Sequence, residues 1–236
     1  MYLALSATPR QLGDMTTAAF SARARDLTAL GRRFYARGWV LGTSGNFSAV
    51  VGRDPLRLAV TASGVHKGRM RAGDVLEVDE RARVLGRSHG VPSAETLLHV
   101  EIARRLGAGA VLHTHSIWST ILSGAPAHRD GLAIEGFEML KGLDGVRTHE
   151  HRELIPIVDN DQDIARLASA VGDVLDRNPG AHAFLLRRHG LYTWGATLAD
   201  AERHVEILEF LFETIGRSAT FHATEGEVYH GALEGS

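Results

Sequence analysis

Strand-like segments in this sequence are joined by short turns in some places and separated by helices in others. The segments NFSAVV and LRLAVTA flank the turn sequence GRDP, and HAFLLRRHGLYTWG predicts two strands around a turn at Gly190. Helical periodicity covers residues 15–37, AETLLHVEIARRL and DQDIARLASAVGDVLD. Hairpins mixed with helices favour an α/β fold with a mixed or antiparallel sheet over a doubly wound parallel sheet.

Local signals predict where several further elements begin. Ser93 is placed to cap the helix that runs to Gly107, and Thr197 with Asp200 resembles a capping box. A short helix is predicted from Ser116, another helix over IEGFEMLKGL, and a hairpin over DVLEVDERARVLG. The apolar segment GAVLHTH then forms a buried strand between two helices.

Length and charge exclude several function classes. The 236 residues predict a single domain over 1–236, with a polar, Gly-rich tail from about residue 218. Lys and Arg total 26 against 28 Asp and Glu, so no basic field exists to attract nucleic acid or an anionic membrane. No apolar stretch is long enough to span a bilayer, and the N-terminus lacks the basic region of a signal peptide. We therefore expect a cytoplasmic protein with no nucleic-acid or membrane partner.

The histidines are the candidate metal ligands, because cysteine is absent and histidine occurs 13 times. His113 and His115 in AVLHTHS share one face of the predicted strand, since residues i and i+2 point the same way. His189, beside the turn glycine in LLRRHGLY, is the best third ligand. Three imidazoles with an open position would form a catalytic site for zinc or a similar divalent ion.

Ordinary strand-end histidines remain the alternative interpretation of this spacing. The pair His149 and His151 has the same H-x-H spacing, but it lies in the polar run RTHEHRE and is predicted to be a solvated loop.

Two glycine loops could hold a phosphate group. GTSGNFS at residues 42–48 and TASGVHKG at residues 61–68 combine small hydroxyl side chains with glycines, so backbone N–H groups can approach an anion. Lys67 adds a positive charge to the second loop. Neither loop matches a P-loop or a dinucleotide-binding pattern, so we expect no nucleotide site. Each loop alone is also compatible with a tight turn, but together with the histidines they favour a small sugar phosphate.

Glu95 and Glu138 are the candidate general bases. Glu95 stands at a predicted helix start, where a carboxylate also compensates the helix dipole. Glu138 lies in an apolar stretch bounded by glycines, and would otherwise occupy the exposed face of a short helix. Either carboxylate could act as a base near a metal, and composition does not choose between them.

Six segments occur in an order and at intervals that resemble one family: TSGNFS, TASGVHKG, PSAETLLH, AVLHTHS, FEMLKGL and RRHGLYTWG. The family is the class II aldolase/adducin family, and the resemblance covers a core of roughly residues 18–216. It implies a three-layer α/β/α fold with a mixed, largely antiparallel central sheet. It also implies a cyclic homotetramer with sites between neighbouring subunits.

The resemblance further implies a role for each candidate residue. It places one Zn²⁺ per subunit on His113, His115 and His189. It assigns phosphate binding to both glycine loops and their neighbours, namely Ser44, Gly45, Asn46, Ser63, Gly64, Lys67 and Ser93. Glu95 matches the base of the family's aldolases, whereas Glu138 matches the acid/base glutamate of its dehydratase branch.

The match at Glu138 favours dehydration over aldol cleavage. The implied activity is that of a zinc-dependent lyase of methionine salvage, which dehydrates 5-methylthioribulose 1-phosphate to a 2,3-diketo phosphate. One alternative is a class II sugar-phosphate aldolase or epimerase, with Glu95 as the base of the aldolase. The other is a non-catalytic, adducin-like assembly module, although such modules lack a complete histidine set.

Overall fold

The computed structural model describes residues 9–86, 90–126 and 131–231, with side chains described between residues 17 and 219. Within these residues the chain forms eight strands and five α-helices. The strands are β1 (Asn46–Arg53), β2 (Leu56–Thr61), β3 (Val75–Asp79), β4 (Ala110–Thr114), β5 (Gly131–Ile134), β6 (Glu153–Val158), β7 (Ala183–Leu186) and β8 (Gly190–Gly195). The helices are α1 (Pro9–Ala36), α2 (Thr96–Leu106), α3 (Ile117–Gly124), α4 (Ile164–Arg177) and α5 (Leu198–Gly231).

The strands form one sheet in the order β3-β2-β1-β4-β8-β7-β6-β5. Neighbouring strands are antiparallel except for β6 and β7, which run parallel. The predicted mixed, largely antiparallel sheet is therefore confirmed. Strand β4 lies at the centre, between β1 and β8, so its residues are covered on both faces.

Helices cover both faces of the sheet and make three layers. Helices α2 and α4 bury side chains such as Leu98 and Val171 against Val111 of β4 on one face. On the other face, α1 and α5 bury Leu27 and Val205 against Leu112. Val111 and Leu112 are adjacent in sequence and face opposite layers, as the two-residue period of a strand requires.

Two predicted elements differ from the structure. The helix expected over IEGFEMLKGL is instead strand β5 followed by a 3₁₀ segment, Glu138–Gly142. Gly136 separates them with φ of +80°, a left-handed conformation that ends regular structure at this point. Of the hairpin expected over DVLEVDERARVLG, the first strand is β3, but the returning segment pairs with it only through a bridge between Val78 and Val84.

The ends of the helices agree only in part with the predictions. The N-cap position of α2 is Glu95, not Ser93, and the Glu95 side chain makes no capping hydrogen bond. The Ser93 Oγ accepts the Glu95 N–H at 3.3 Å. The capping box before α5 is confirmed, because the Asp200 N–H donates to the Thr197 Oγ1 at 3.2 Å and the Thr197 N–H donates to the Asp200 carboxylate at 3.1 Å. Helix α5 continues to Gly231, beyond the expected start of the polar tail. No helix among the described residues combines the length and apolar character needed to cross a bilayer.

Candidate metal centre

Three histidines from two distant segments converge at the end of β4. His113 lies in β4, His115 follows the strand by one residue, and His189 lies in the turn between β7 and β8. The Nε2 atom of His115 is 2.7 Å from the Nε2 of His113 and 3.0 Å from that of His189, and the last two are 3.4 Å apart. The predicted grouping of these residues is thus present in the structure.

The turn that presents His189 depends on close backbone packing. Gly190 lies directly against the carbonyl of Thr114, so a Cβ at this position would collide with β4. Arg188 adopts a left-handed φ of +54°, and its N–H donates to the Ser123 Oγ of α3 at 2.9 Å. The Thr120 hydroxyl donates to the His189 carbonyl at 3.2 Å. Helix α3 therefore holds the turn that aims His189 at β4.

The three imidazoles fit a single divalent ion. The Nδ1–H of His113 donates to the Leu191 carbonyl at 2.9 Å, which leaves the lone pair on the Nε2 that faces the other rings. Tetrahedral zinc with bonds of about 2.0–2.1 Å separates two nitrogen ligands by about 3.3 Å. The observed separations of 2.7–3.4 Å bracket this value. Three imidazole ligands would leave one position of a tetrahedral ion open.

The environment keeps His113 and His115 neutral. Burial lowers the pKa of His113 far below its ordinary value, and the neighbouring His189 adds to the shift. Burial is the main cause that lowers the pKa of His115 to about 3, and repulsion from positive charge on His113 and His189 adds to this shift. Neutral imidazole is the form that binds a metal ion, so a proton does not compete at neutral pH.

Glu95 lies beside the histidines and is oriented by a chain of buried polar groups. Its two carboxylate oxygens are 3.6 Å from the Nε2 atoms of His113 and His189. The Asn46 amide donates to this carboxylate at 2.7 Å, and the Asn46 carbonyl oxygen is bonded in turn to the His99 Nε2.

His99 completes this chain as a neutral ring. Its Nδ1 is 2.8 Å from the Ser48 hydroxyl, and burial lowers its pKa to about 4. The His99 Nε2–H therefore donates to Asn46, while its Nδ1 accepts from Ser48. This arrangement fixes the amide orientation of Asn46 and, through it, the carboxylate of Glu95.

The two glycine loops and His115 line one cavity of about 160 Å³. All seven residues expected to bind phosphate line it, together with Glu95 and His115: Ser44, Gly45, Asn46, Ser63, Gly64, Lys67 and Ser93. A larger cavity of about 440 Å³ lies at the end of β6 against α4, and it contains no cluster of metal-ligating groups among the described residues. The geometry thus places the candidate phosphate loops beside His115, one of the candidate metal ligands.

Lys67 supplies the positive charge of this cavity. Its side chain is buried, and its Nζ donates to the carbonyls of Thr43 at 3.3 Å and Val65 at 3.0 Å. Burial lowers its pKa to about 8, so most of the population is still charged at neutral pH. The ammonium group ties the two loops together at the wall of the cavity.

Glu138 is not part of this cluster within one chain. Its side chain is 71% exposed and forms an ion pair with Lys141 at 2.7 Å. The hydrogen bond from Lys141 lowers the pKa of this carboxyl below its ordinary value. His149, exposed as predicted for a solvated loop, lies 3.9 Å from the second carboxylate oxygen, whereas His151 is partly buried against Glu153.

Three buried residues of the site have no counterpart among the predicted site residues. His99 follows Glu95 by four residues, the spacing that puts two side chains on one helix face. The Tyr192 ring stacks on His113 with centroids 4.0 Å apart, and register places these residues opposite each other on β8 and β4. Glu209 of α5 accepts the hydroxyl of Thr114, the residue between His113 and His115, at 2.9 Å. Only the spacing of His99 from Glu95 is visible in the sequence.

A family model described as the class II aldolase and adducin N-terminal domain matches residues 25–215. The chain belongs to this family. Its fold is shared with L-fuculose-1-phosphate aldolase from Thermus thermophilus, at a TM-score of 0.67 and 25% identity, over 86% of this chain and 98% of that one. YgbL from Escherichia coli, a putative aldolase/epimerase/decarboxylase, shares the fold at a TM-score of 0.69 and 24% identity, over 83% and 89% of the two chains.

Relatives within this class II aldolase family match at much higher identity. A methylthioribulose-1-phosphate dehydratase from Methylococcus capsulatus is 50% identical over 196 residues, which are 82% of this chain and 93% of that protein. A methylthioribulose-1-phosphate dehydratase from Marinobacter nauticus is 45% identical over 195 residues, which are 82% and 92% of the two chains.

Proposed function

We propose that this chain is a metal-dependent hydro-lyase that removes water from 5-methylthioribulose 1-phosphate. The relatives that carry this activity in their names match over nearly their whole length. The observation that carries the proposal is that His115, Glu95 and the two glycine loops line one cavity. A ketose phosphate would have its phosphate at the loops and its carbonyl end at the histidines.

The proposed cofactor is one Zn²⁺ per subunit on His113, His115 and His189, which supply the fitting donor set. When bound there, the ion would polarise the C2 carbonyl and C3 hydroxyl oxygens and stabilise the negative charge that follows loss of the C3 proton. The His113–Leu191 hydrogen bond orients one ligand ring for this purpose.

Phosphate binding would hold the substrate in a reactive pose. Backbone N–H groups of the Ser44–Gly45–Asn46 and Ser63–Gly64 loops would face the phosphate, with Lys67 and Ser93 beside them. The phosphate takes no part in bond breaking. Its binding energy can therefore be used to align the C3 hydrogen and the C4 hydroxyl with the catalytic groups.

The reaction breaks the C3–H bond and the C4–O bond, and the resulting enol becomes the 2,3-diketone by moving one proton. We assign the acid/base role to Glu138, which would take the C3 proton, protonate the departing hydroxyl, or do both. Because Glu138 is exposed and apart from the histidines of its own chain, this role requires a neighbouring subunit. The proposed role of Glu138 therefore depends on the expected homotetramer, in which the sites lie between subunits. We also propose that the protein is cytoplasmic.

Aldol cleavage is the second candidate function, and one observation favours it. Glu95, the position of the base in the family's aldolases, lies 3.6 Å from two of the histidine nitrogens and is fixed by Asn46. In the dehydratase we propose that this carboxylate assists the proton transfers close to the carbonyl. The complete histidine set argues against a non-catalytic assembly module.

Product analysis separates these functions. The purified protein is incubated with 5-methylthioribulose 1-phosphate and with aldolase substrates, with and without a chelator, and products are identified by mass. Dehydration loses one water, cleavage gives two carbonyl fragments, and epimerisation keeps the formula. We expect chelator-sensitive loss of water from the methylthio substrate only. Cleavage of an aldolase substrate without any dehydration would overturn the proposal.

Two variants test the assigned residues. Glu138→Gln is expected to retain zinc and to lose about 100-fold or more in turnover, because a proton-transfer group is removed. Near-normal turnover would move the base elsewhere, and Glu95 would be the next residue to test. His113→Ala is expected to lose zinc, as measured by atomic absorption, since two imidazoles remain. An unchanged zinc content would refute the assignment of His113.

A further inference from the structure

A second cluster of titratable groups lies outside the metal site. It consists of Glu153 at the start of β6, His182 just before β7, His204 of α5, and Asp144 in the loop after the 3₁₀ segment. The Glu153 side chain is 1% exposed and accepts hydrogen bonds from the backbone N–H and the ring of His182, both at 3.0 Å. These residues are far apart in sequence, so the cluster ties three elements to one loop.

The hydrogen-bond partners determine the charge of each ring. The His182 Nδ1 faces a Glu153 carboxylate oxygen, and its Nε2 lies 2.8 Å from the Asp144 carbonyl oxygen. Both partners are acceptors, so both ring nitrogens carry hydrogen and His182 is an imidazolium.

His204 has the opposite arrangement on one side of its ring. Its Nε2 accepts the Asp144 N–H at 3.1 Å, while its Nδ1–H donates to the Trp194 carbonyl at 2.7 Å. His204 is therefore neutral. The peptide groups on both sides of Asp144 are bound, the N–H by His204 and the carbonyl by His182.

These contacts hold the segment that carries Glu138. The Arg203 side chain donates to the Gly142 carbonyl at 2.9 Å, and Gly142 packs directly against Ile207 of α5. The 3₁₀ segment Glu138–Gly142 is thus anchored at its end, while Glu138 itself projects into solvent. An exposed side chain on a short segment keeps a defined direction only if the backbone beneath it is fixed.

We propose that His182 is a positioning residue, which as an imidazolium between Glu153 and the Asp144 carbonyl fixes residues 138–146 and the direction of Glu138. This inference rests on the proposed role of Glu138 in dehydration. His182 acts through the backbone and touches neither the histidine triad nor the phosphate loops.

The pH dependence of this contact has a defined sign. Burial opposes charge on His182, but the hydrogen bond and the charge of Glu153 outweigh it and raise the His182 pKa above its ordinary 6.5. Burial likewise opposes charge on Glu153, but His182 and His151 lower its pKa below 4.5. Among the residues that the structure describes, the other charged or titratable groups around His182 are His151, His204 and Arg203 of α5, and the Asp144 side chain.

The ion pair between His182 and Glu153 is therefore fully formed at pH values between the lowered pKa of Glu153 and the raised pKa of His182. It weakens as pH rises through the folded-state pKa of His182, because that group contributes most below its unfolded pKa. It also weakens as pH falls through the lowered pKa of Glu153.

The test compares His182→Gln with His151→Gln in the zinc-loaded enzyme. His151 is the matched control, because its ring contacts the same Glu153 carboxylate oxygen at 2.8 Å but does not contact Asp144. In His182→Gln we expect the rate of amide hydrogen exchange in peptides covering 138–146 to rise about tenfold, because one charge-assisted hydrogen bond is lost. We expect kcat to fall about tenfold with KM and zinc content unchanged. His151→Gln should behave like the unmodified protein in all four measurements.

The exchange measurement separates this inference from the function on which it rests. Unchanged exchange and unchanged kcat in His182→Gln would overturn the positioning role, as would equal effects in the two variants. If Glu138→Gln keeps its turnover, the catalytic part of the inference fails even when His182→Gln loosens residues 138–146. If His182→Gln does not fold, a pH series on the unmodified protein decides. Protection of residues 138–146 must then fall above the His182 pKa, and a pH-independent protection factor would overturn the inference.

Discussion

Glu209 allows a quantitative prediction about the support behind the candidate metal ligands. This carboxyl group of α5 is 3% exposed and accepts the hydroxyl of Thr114, which lies between His113 and His115. Burial raises its pKa from the ordinary 4.5 to about 7, against the opposing hydrogen bonds from Ser116 and Thr114. The folded protein therefore holds a proton that the unfolded chain releases, and this favours unfolding as pH rises from about 4.5 to 7.

The size of the effect follows from this pKa interval. An interval from 4.5 to about 7 costs the folded state ~3 kcal/mol above pH 7. Roughly 2–3 kcal/mol of that cost develops between about pH 5 and pH 8.5. Glu209→Gln keeps an oxygen that can accept from Thr114 but cannot ionise, so it escapes this cost. The unpaired amide N–H₂ group adds a penalty of about 1–3 kcal/mol that does not change with pH.

The assay is thermal unfolding of both proteins at about pH 5 and pH 8.5. The unfolding midpoint of Glu209→Gln minus that of the unmodified protein should be roughly 5–10 °C higher at pH 8.5 than at pH 5. Glu213→Gln is the matched control, since Glu213 lies one turn further along α5 with its side chain 47% exposed. The reasoning is refuted if the midpoint difference for Glu209→Gln is the same at both pH values, or if Glu213→Gln shows the same change.

Three further variants address the site directly. Gly190→Ala should lower zinc affinity by about tenfold or more, because its Cβ would collide with the Thr114 carbonyl and push His189 away. Zinc titration with a competing chelator measures the affinity, and an unchanged value would contradict the prediction. Lys67→Met should raise KM by about tenfold with a smaller change in kcat, since the proposed charged partner of the phosphate is lost. Arg83→Met is the control, because it removes an exposed cation that does not line the cavity, and an equal rise in KM there would count against a local effect. Asn46→Ala should lower kcat without loss of zinc, because Glu95 loses its 2.7 Å hydrogen bond. Steady-state kinetics and atomic absorption measure the two quantities, and a normal kcat would show that turnover does not require Asn46 to orient Glu95.

Much of the fold follows from local sequence patterns. The alternation in AVLHTHS predicts that His113 and His115 face the same way, and in the structure their Nε2 atoms are 2.7 Å apart, although β4 ends at Thr114. The Thr197–Asp200 box marks the start of α5, and the hairpin sequences give the antiparallel pairs β1–β2 and β7–β8. These features depend on sterics and hydrogen bonds between near neighbours, so a short stretch of sequence contains the information.

The 3₁₀ segment around Glu138 shows where local patterns mislead. Its apolar residues resemble a short helix, but Leu140 is buried among residues of β6 and α5 that are distant in sequence. Gly136 allows the chain to turn sharply before this segment. Tertiary packing therefore overrides a weak helical preference, as it does for many short segments.

Sequence alone determined the set of candidate ligands for metal and phosphate, because the chemistry of histidine, glycine loops and lysine is a property of the residues themselves. The tertiary structure decided which of these groups meet. It placed His189 against β4, linked Glu95 to Ser48 through Asn46 and His99, and separated Glu138 from the site of its own chain. Such contacts depend on the order of strands in the sheet, which is set by the packing of the whole core rather than by any local stretch.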